Sequence, residues 1–255
     1  MINYRICIPS YKRPNILKEK TLKLLEHHKI QPKNIDILIG TPEEALEYKA
    51  ILPKKYHSRI IYHYQKQIGP VRNFIQGYYA NETKVKYLVS IDDDLDQIMD
   101  WDKPLENLDK FIKDMFKETE KNKLCLFGVS AYHNTFFMKQ EISTNLKYIC
   151  GAFTGLIIDR TKDVIQTEFN HFEDFAFSCE FFLRDGGVVR NNGISLKTKY
   201  FCILGGICEA YGGLAERKKD MELACHDVKD RYGEMVRIVD KAYGKDLRLN
   251  SRYKI

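Results

Sequence analysis

Tyr87-Leu88-Val89-Ser90-Ile91-Asp92-Asp93-Asp94-Leu95-Asp96 joins an apolar run to an abrupt acidic cluster, and the rest of the pattern is organised around that junction. The short β-branched run Tyr87–Ile91 predicts a buried strand. Three consecutive carboxylates directly after it crowd like charges together, which is unfavourable unless a cation sits among them. Asp92 and Asp94, as alternate residues, can point into one site while Asp93 points elsewhere. A divalent metal held there keeps positions open for a diphosphate. The plain alternative is a solvated acidic loop. In doubly wound sheets ligands collect at the C-terminal ends of strands, where this cluster lies.

Upstream, Tyr4–Pro9 predicts a strand, Lys18–His28 a helix and Ile35–Ile39 a second strand. Thr41-Pro42-Glu43-Glu44 supplies an N-cap, a proline at the first helical position and acids in the first turn, so a second helix starts there and ends before Pro53. Arg59–Tyr64 predicts a third strand and Pro70–Tyr79 a third helix. This alternation implies an α/β fold with a mostly parallel central sheet flanked by helices. After Ile91 the rhythm loosens into a helix over Leu105–Asn122, apolar runs at Leu124–Val129 and Gly155–Ile158, a helix near Asp174–Arg184 and the run Gly187–Tyr200. With no internal repeat and no linker, residues 1–255 read as a single domain whose helical C-terminal tail, from about Glu216, caps the site.

The 255 residues are 44% hydrophobic and 30% charged, with only 15 Gly and 7 Pro, which excludes disordered and fibrous classes. Apolar stretches such as Leu124–Val129 fall far short of the roughly 20 residues of a bilayer span, so no membrane partner is expected. The N-terminus, Met1-Ile2-Asn3-Tyr4-Arg5, runs straight into a strand without a signal-peptide pattern, predicting a cytoplasmic protein. Cys7, Cys125, Cys150, Cys179, Cys202, Cys208 and Cys225 form no CxxC pair and read as small buried hydrophobes in a reducing compartment. A net charge of +6 suits a phosphate-rich partner without requiring one.

Further constellations carry chemistry. In His171-Phe172-Glu173-Asp174-Phe175-Ala176-Phe177-Ser178 two carboxylates lie among aromatics, where proton affinity is perturbed as a general base requires; an acidic pair favouring a helix N-terminus explains them equally well. Ile68-Gly69-Pro70-Val71-Arg72-Asn73 sets an arginine at a helix entrance, suited to an anion or simply to capping. Ile8-Pro9-Ser10-Tyr11-Lys12-Arg13 is a strand exit with hydroxyls, an aromatic and two cations, either a nucleotide-holding loop or a solvated basic one. His226, alone in an amphipathic tail, is a candidate third metal ligand or an ordinary surface histidine.

In this order, the Ile-Pro-Ser-Tyr-Lys-Arg, Gly-Pro-Val-Arg-Asn, Ile-Asp-Asp-Asp and Phe-Glu-Asp motifs resemble a nucleotide-sugar glycosyltransferase of the GT-A type. Together with Leu183-Arg-Asp-Gly186, Val189-Arg-Asn-Asn-Gly193 and Lys197-Thr-Lys-Tyr200, the chain from about Arg5 to Leu249 resembles the TET/JBP-associated glycosyltransferases, which attach sugars to hydroxylated pyrimidines in DNA. The resemblance implies a GT-A-like fold with a Rossmann-like nucleotide half and an acceptor half. It implies Mn²⁺ or Mg²⁺ on Asp92 and Asp94, with His226 as the further ligand, against the diphosphate of a UDP-sugar donor. Asp92 or Asp93 would also reach the ribose, and Ser10, Tyr11, Arg13, Arg72 and Asn73 would line the nucleotide pocket. Gly151-Ala-Phe-Thr-Gly155 would be a small-residue loop letting the sugar lie against backbone. Asp174 would be the general base of an inverting displacement, with Glu173 on sugar hydroxyls.

The implied acceptor is DNA carrying 5-hydroxymethyluracil or 5-hydroxymethylcytosine, with Lys197, Lys199, Arg217, Lys218 and Lys219 as the expected phosphate contacts. Competing functions are the same enzyme acting on a protein, glycan or lipid, and a non-catalytic nucleic-acid-binding module with structural acids. A nucleotidyltransferase ranks last, since the Gly-Ser motif that precedes its paired acids is missing.

Overall fold

The computed structural model describes residues 2–198, 214–241 and 244–255, with residues 214–218 as backbone only. The strands are β1 (Tyr4–Pro9), β2 (Ile35–Ile39), β3 (Ile60–Tyr62), β4 (Tyr87–Ile91), β5 (Gln97–Asp100), β6 (Lys103–Pro104), β7 (Leu126–Ser130), β8 (Ile142–Ser143), β9 (Phe153–Ile157), β10 (Val189–Lys197), β11 (Val236–Lys241) and β12 (Gly244–Leu249). The helices are α1, made of consecutive pieces Pro14–Leu17, Lys18–Leu22 and Lys23–His27, then α2 (Pro42–Ile51), α3 (Ile68–Asn81), α4 (Leu108–Lys121), α5 (Glu173–Asp185) and α6 (Leu214–Tyr232). Cys202, Cys208 and Lys199 lie outside the described residues, as do the side chains of Arg217 and Lys218.

The main sheet runs β3-β2-β1-β4-β9-β7-β10-β5-β6, with β8 paired to β10. The strands β3, β2, β1 and β4 are mutually parallel, as are β7 and β10. Between these blocks β9 runs antiparallel to both β4 and β7. The central sheet is thus largely parallel, as expected, with β9 inserted in reverse and with β5, β6 and β8 added through antiparallel pairings beyond β10. Its inner strands are buried on both faces: every residue of β2 is buried, and four of five in β4, which explains continuous apolar runs in place of alternation.

The Thr41 expectation is met, since its Oγ1 accepts from the Glu44 backbone N–H at 3.3 Å and Pro42 opens α2. At the outer edge, fully buried Asp36 is held by Arg5, Arg59 and the Tyr79 hydroxyl, the last at 2.6 Å. The tail departs from expectation. Instead of ending as a helix, it turns after α6 into the antiparallel hairpin β11–β12, which packs back on α6. The alternating pattern Val236, Ile238 and Leu247, Leu249 supplies the hairpin's packed face.

Five cysteines, Cys7, Cys125, Cys150, Cys179 and Cys225, are buried and free. Among the described residues no helix is long and apolar enough to cross a membrane.

The middle piece of α1, Lys18–Leu22, is a π-helical turn, a form that concentrates at functional sites. It presents fully buried Thr21, whose Oγ1 donates to the Asp92 carbonyl at 2.7 Å and accepts from the Leu95 N–H at 3.0 Å. This clasp fixes the acidic turn after β4. Thr21→Val keeps the shape but orphans both backbone groups, so we expect a loss of about 1–3 kcal/mol, read as a lower urea midpoint with an unchanged slope.

Candidate active site

A cavity of about 540 Å³ opens beside the ends of β1 and β4. One part of its wall carries Arg13, Arg72, Asp92 and Asp94; another carries Tyr148, Gly151, Glu173 and Asp174, closed over by Met221 of α6 and by hairpin residues Val239, Lys241 and 246–249.

The acidic cluster divides as its alternation predicts. Asp93 is fully buried and turned inward, forked by Arg13 and accepting from Ser10 Oγ at 2.5 Å. Burial raises its proton affinity, while Arg13 and Ser10 pull it back. Asp92 and Asp94 face the cavity. Asp92 accepts from Arg72 at 2.6 Å, and Arg72 also donates to Ser90 Oγ at 2.9 Å. Among the described residues the Asp94 carboxylate receives only a long contact from Arg13, 3.3 Å, and its proton affinity is raised by burial and by Asp92.

The second carboxylate pair opens α5. Phe172, in the left-handed region at φ 58°, turns the chain so that Glu173 and Asp174 begin the helix, where its dipole favours acids. Asp174 is held from three sides: Tyr148 Oη donates at 2.5 Å, the Gly151 N–H at 3.2 Å and the Phe175 N–H at 3.0 Å. Burial raises its proton affinity against those bonds. For Glu173, burial first and the Asp174 charge second push the carboxyl up to about 8. Tyr148 stacks on Phe175 with ring centroids 4.3 Å apart, which fixes the donor hydroxyl.

Several expected site residues serve the scaffold instead. Ser10 is buried, bonded to Asp93 and to Tyr48 Oη at 2.7 Å, and so is not open to a nucleotide. Asn73 bridges to the backbone of Thr167, donating at 2.7 Å and accepting at 2.8 Å. Tyr11 does not line the cavity; its ring lies under Lys12 Nζ at 5.3 Å. Gly155 sits within β9, where a Cβ would stand 1.9 Å from Phe127 Cε1, so the glycine makes room for that ring and not for a sugar. Gly151 does line the cavity, and a Cβ there would meet Arg72 Nη2 at 3.0 Å.

His226 is exposed on α6 beside buried Cys225 and is not brought to Asp92 and Asp94. Lys197 and Lys219 are exposed and outside the cavity wall. The sequence reading gave no site role to Tyr148, Lys147, Arg190 or the hairpin residues; of these only Arg190 stands in a quoted motif, Val189-Arg-Asn-Asn-Gly193.

Asp92 and Asp94 fit a divalent cation in kind. Each retains a carboxylate oxygen facing the cavity, and hard cations such as Mn²⁺ and Mg²⁺ take one or two carboxylates plus phosphate oxygens and water. No group of three or more His, Cys, Asp or Glu placed for a metal is found among the described residues.

No protein-family model matches the chain, and no curated protein matches it. Among solved structures, TarS 1-349 of S. aureus in complex with UDP-GlcNAc is 10% identical, with a TM-score of 0.53 over 90% of this chain and 67% of that one. The mannosyltransferase PcManGT from Pyrobaculum calidifontis, in complex with GDP-Man and Mn²⁺, is 9% identical, with a TM-score of 0.55 over 89% of this chain and 64% of that one. The chain thus spans about two thirds of the length of these structures. The likeness is one of fold: a mixed α/β architecture of the GT-A glycosyltransferase type.

Proposed function

We propose that this chain is a metal-dependent glycosyltransferase that moves a sugar from a nucleotide sugar, UDP-linked, to the hydroxyl of a modified pyrimidine base in DNA, with inversion, as a member of the TET/JBP-associated group. The observation that carries the reading is one cavity joining two unlike carboxylate pairs, Asp92 with Asp94 and Glu173 with Asp174. The TarS and PcManGT structures, which contain UDP-GlcNAc and GDP-Man with Mn²⁺, support a nucleotide-sugar donor and a divalent metal.

Asp92 and Asp94 would hold the cation, which would supply charge neutralisation to the departing diphosphate. Arg72 keeps Asp92 in place through its paired bonds to Asp92 and Ser90, and Arg13 keeps Asp93 out of the cavity and steadies Asp94. Asp174 takes the proton of the acceptor hydroxyl. Its orientation is set by Tyr148, Gly151 and Phe175, and burial makes it a stronger base than a free carboxylate. Glu173 contacts sugar hydroxyls. The deciding experiment screens nucleotide sugars for metal-dependent nucleotide release, with and without hydroxymethylpyrimidine DNA. Tight DNA binding without metal dependence or nucleotide release would replace the enzyme with a binding module.

Asp94→Ala should abolish transfer with the melting temperature nearly unchanged, since the residue faces the cavity; near-normal turnover would sink the metal assignment. Asp174→Asn should leave donor affinity within a few-fold while lowering transfer about 10²–10⁴-fold, the worth of a general base. Loss of donor affinity alone would make Asp174 a sugar ligand. The Glu173 shift has a stability consequence. Between the ordinary carboxyl value of 4.5 and about 8 the folded state binds more protons than the unfolded one, so stability falls as pH rises through that window. Glu173→Gln removes this dependence, so its melting temperature should gain on the wild type as pH climbs from 4.5 towards 8.

A further inference from the structure

The cations of the cavity wall fall into two groups. Arg13 and Arg72 are matched by the acidic cluster. From there a chain of contacts leads away from the metal end: Asp92 to Arg72, Arg72 against Gly151, Gly151 to Asp174, Asp174 to Tyr148, and the Tyr148 carbonyl to Arg190 Nη1 at 3.3 Å. At its far end Arg190 donates Nε to Asn192 Oδ1 at 2.6 Å, and neither Arg190 nor Lys147 has an ion-pair partner among the described residues. Burial lowers the proton affinity of both, and for Lys147 the neighbouring Arg190 lowers it further. Glu141 offsets part of this for Lys147; two partly desolvated cations on one wall are still held at a cost that a further anion would relieve. Arg248 of β12 adds a third cation to the same wall, with no ion pair among the described residues.

The segment joining β7 to β8 enters the same wall at Tyr132 and a few residues on exposes Phe136 and Phe137, 85% and 78% accessible, packed edge to face at 4.9 Å. The rings are presented by an ordered turn: Asn134 Oδ1 accepts from the Phe136 N–H at 3.1 Å, and its carbonyl from Phe137 at 3.0 Å and Met138 at 3.2 Å. His133 ties the segment to Ser195 Oγ at 2.9 Å. Cations next to exposed aromatic faces are what a single strand or flipped-out nucleotide uses, phosphate on one and base on the other.

We propose that Lys147 and Arg190, joined by Arg248, form a phosphate subsite for the backbone of the acceptor strand, with the Phe136–Phe137 pair stacking on a neighbouring base. The proposal rests on the nucleic-acid acceptor put forward above. It moves the phosphate contacts away from the exposed C-terminal lysines, to cations that line the cavity itself.

The test is fluorescence anisotropy of a labelled single-stranded oligonucleotide over a salt series, with isothermal titration of inorganic phosphate as a second arm. Lys147→Gln and Arg190→Gln should each weaken oligonucleotide binding about tenfold and reduce the salt slope by roughly one unit, while Arg190→Lys restores the slope. A Phe136→Ala/Phe137→Ala double variant should weaken binding at every salt concentration with the slope unchanged. Lys147 is half-exposed, so its variant stands even if Arg190→Gln fails to fold. Normal oligonucleotide binding with unchanged slopes in both variants overturns the subsite and leaves the DNA acceptor standing. Phosphate binding that depends on Arg190, without oligonucleotide binding by the wild type, supports the subsite and rejects DNA. Binding of neither probe by the wild type overturns the subsite.

Discussion

Three adjacent carboxylates at the end of the central strand can coexist only because two guanidiniums brace them from opposite sides. Arg13, leaving β1, forks Asp93 and reaches Asp94; Arg72, entering α3, bridges Ser90 and Asp92. Three negative charges against two positive ones leave one uncompensated, and it faces the cavity on Asp92 and Asp94. A residual negative field of this kind favours a cation. Much of the scaffold serves the arrangement: β1 and β4 pair in parallel so that both strand ends open on the same side, and the π turn in α1 brings Thr21 to clasp the Asp92 carbonyl.

The second carboxylate pair is positioned by different physics. Asp174 and Glu173 are pressed into a largely apolar surround with Tyr148, Phe172 and Phe175, so their proton affinities rise through lost hydration. A left-handed residue, Phe172, is the local cost of starting α5 there. The helix and hairpin at the C-terminal end then form part of the wall, so both pairs line one cavity. The cavity thus has one carboxylate end braced by guanidiniums and one desolvated end whose carboxylates hold protons more tightly.

Residues that belong to conspicuous motifs but point inward hold the site up instead of touching a ligand. Ser10 fastens Asp93, Asn73 fastens the segment around Thr167, and Gly155 admits the Phe127 ring between strands. Mutating them would disturb function through geometry, because each removes a buried hydrogen bond or forces a close contact.

Sequence by itself determined the parallel core and the division of the acidic cluster. Buried strands require continuous apolar runs, caps require particular residues next to prolines, and alternate residues on an extended chain face opposite ways, so Tyr4–Pro9, Thr41–Glu44 and Asp92–Asp94 are legible locally. Only the tertiary structure decided which side chains share the cavity. Tyr148 meets Asp174 across 26 positions, and Arg13 meets Asp93 across 80, distances over which no periodicity carries information. The antiparallel insertion of β9 and the closing hairpin were hidden for the same reason: a short strand's pattern fixes which of its faces is buried but not which neighbour it pairs with, and that choice is made by the packing of the whole chain.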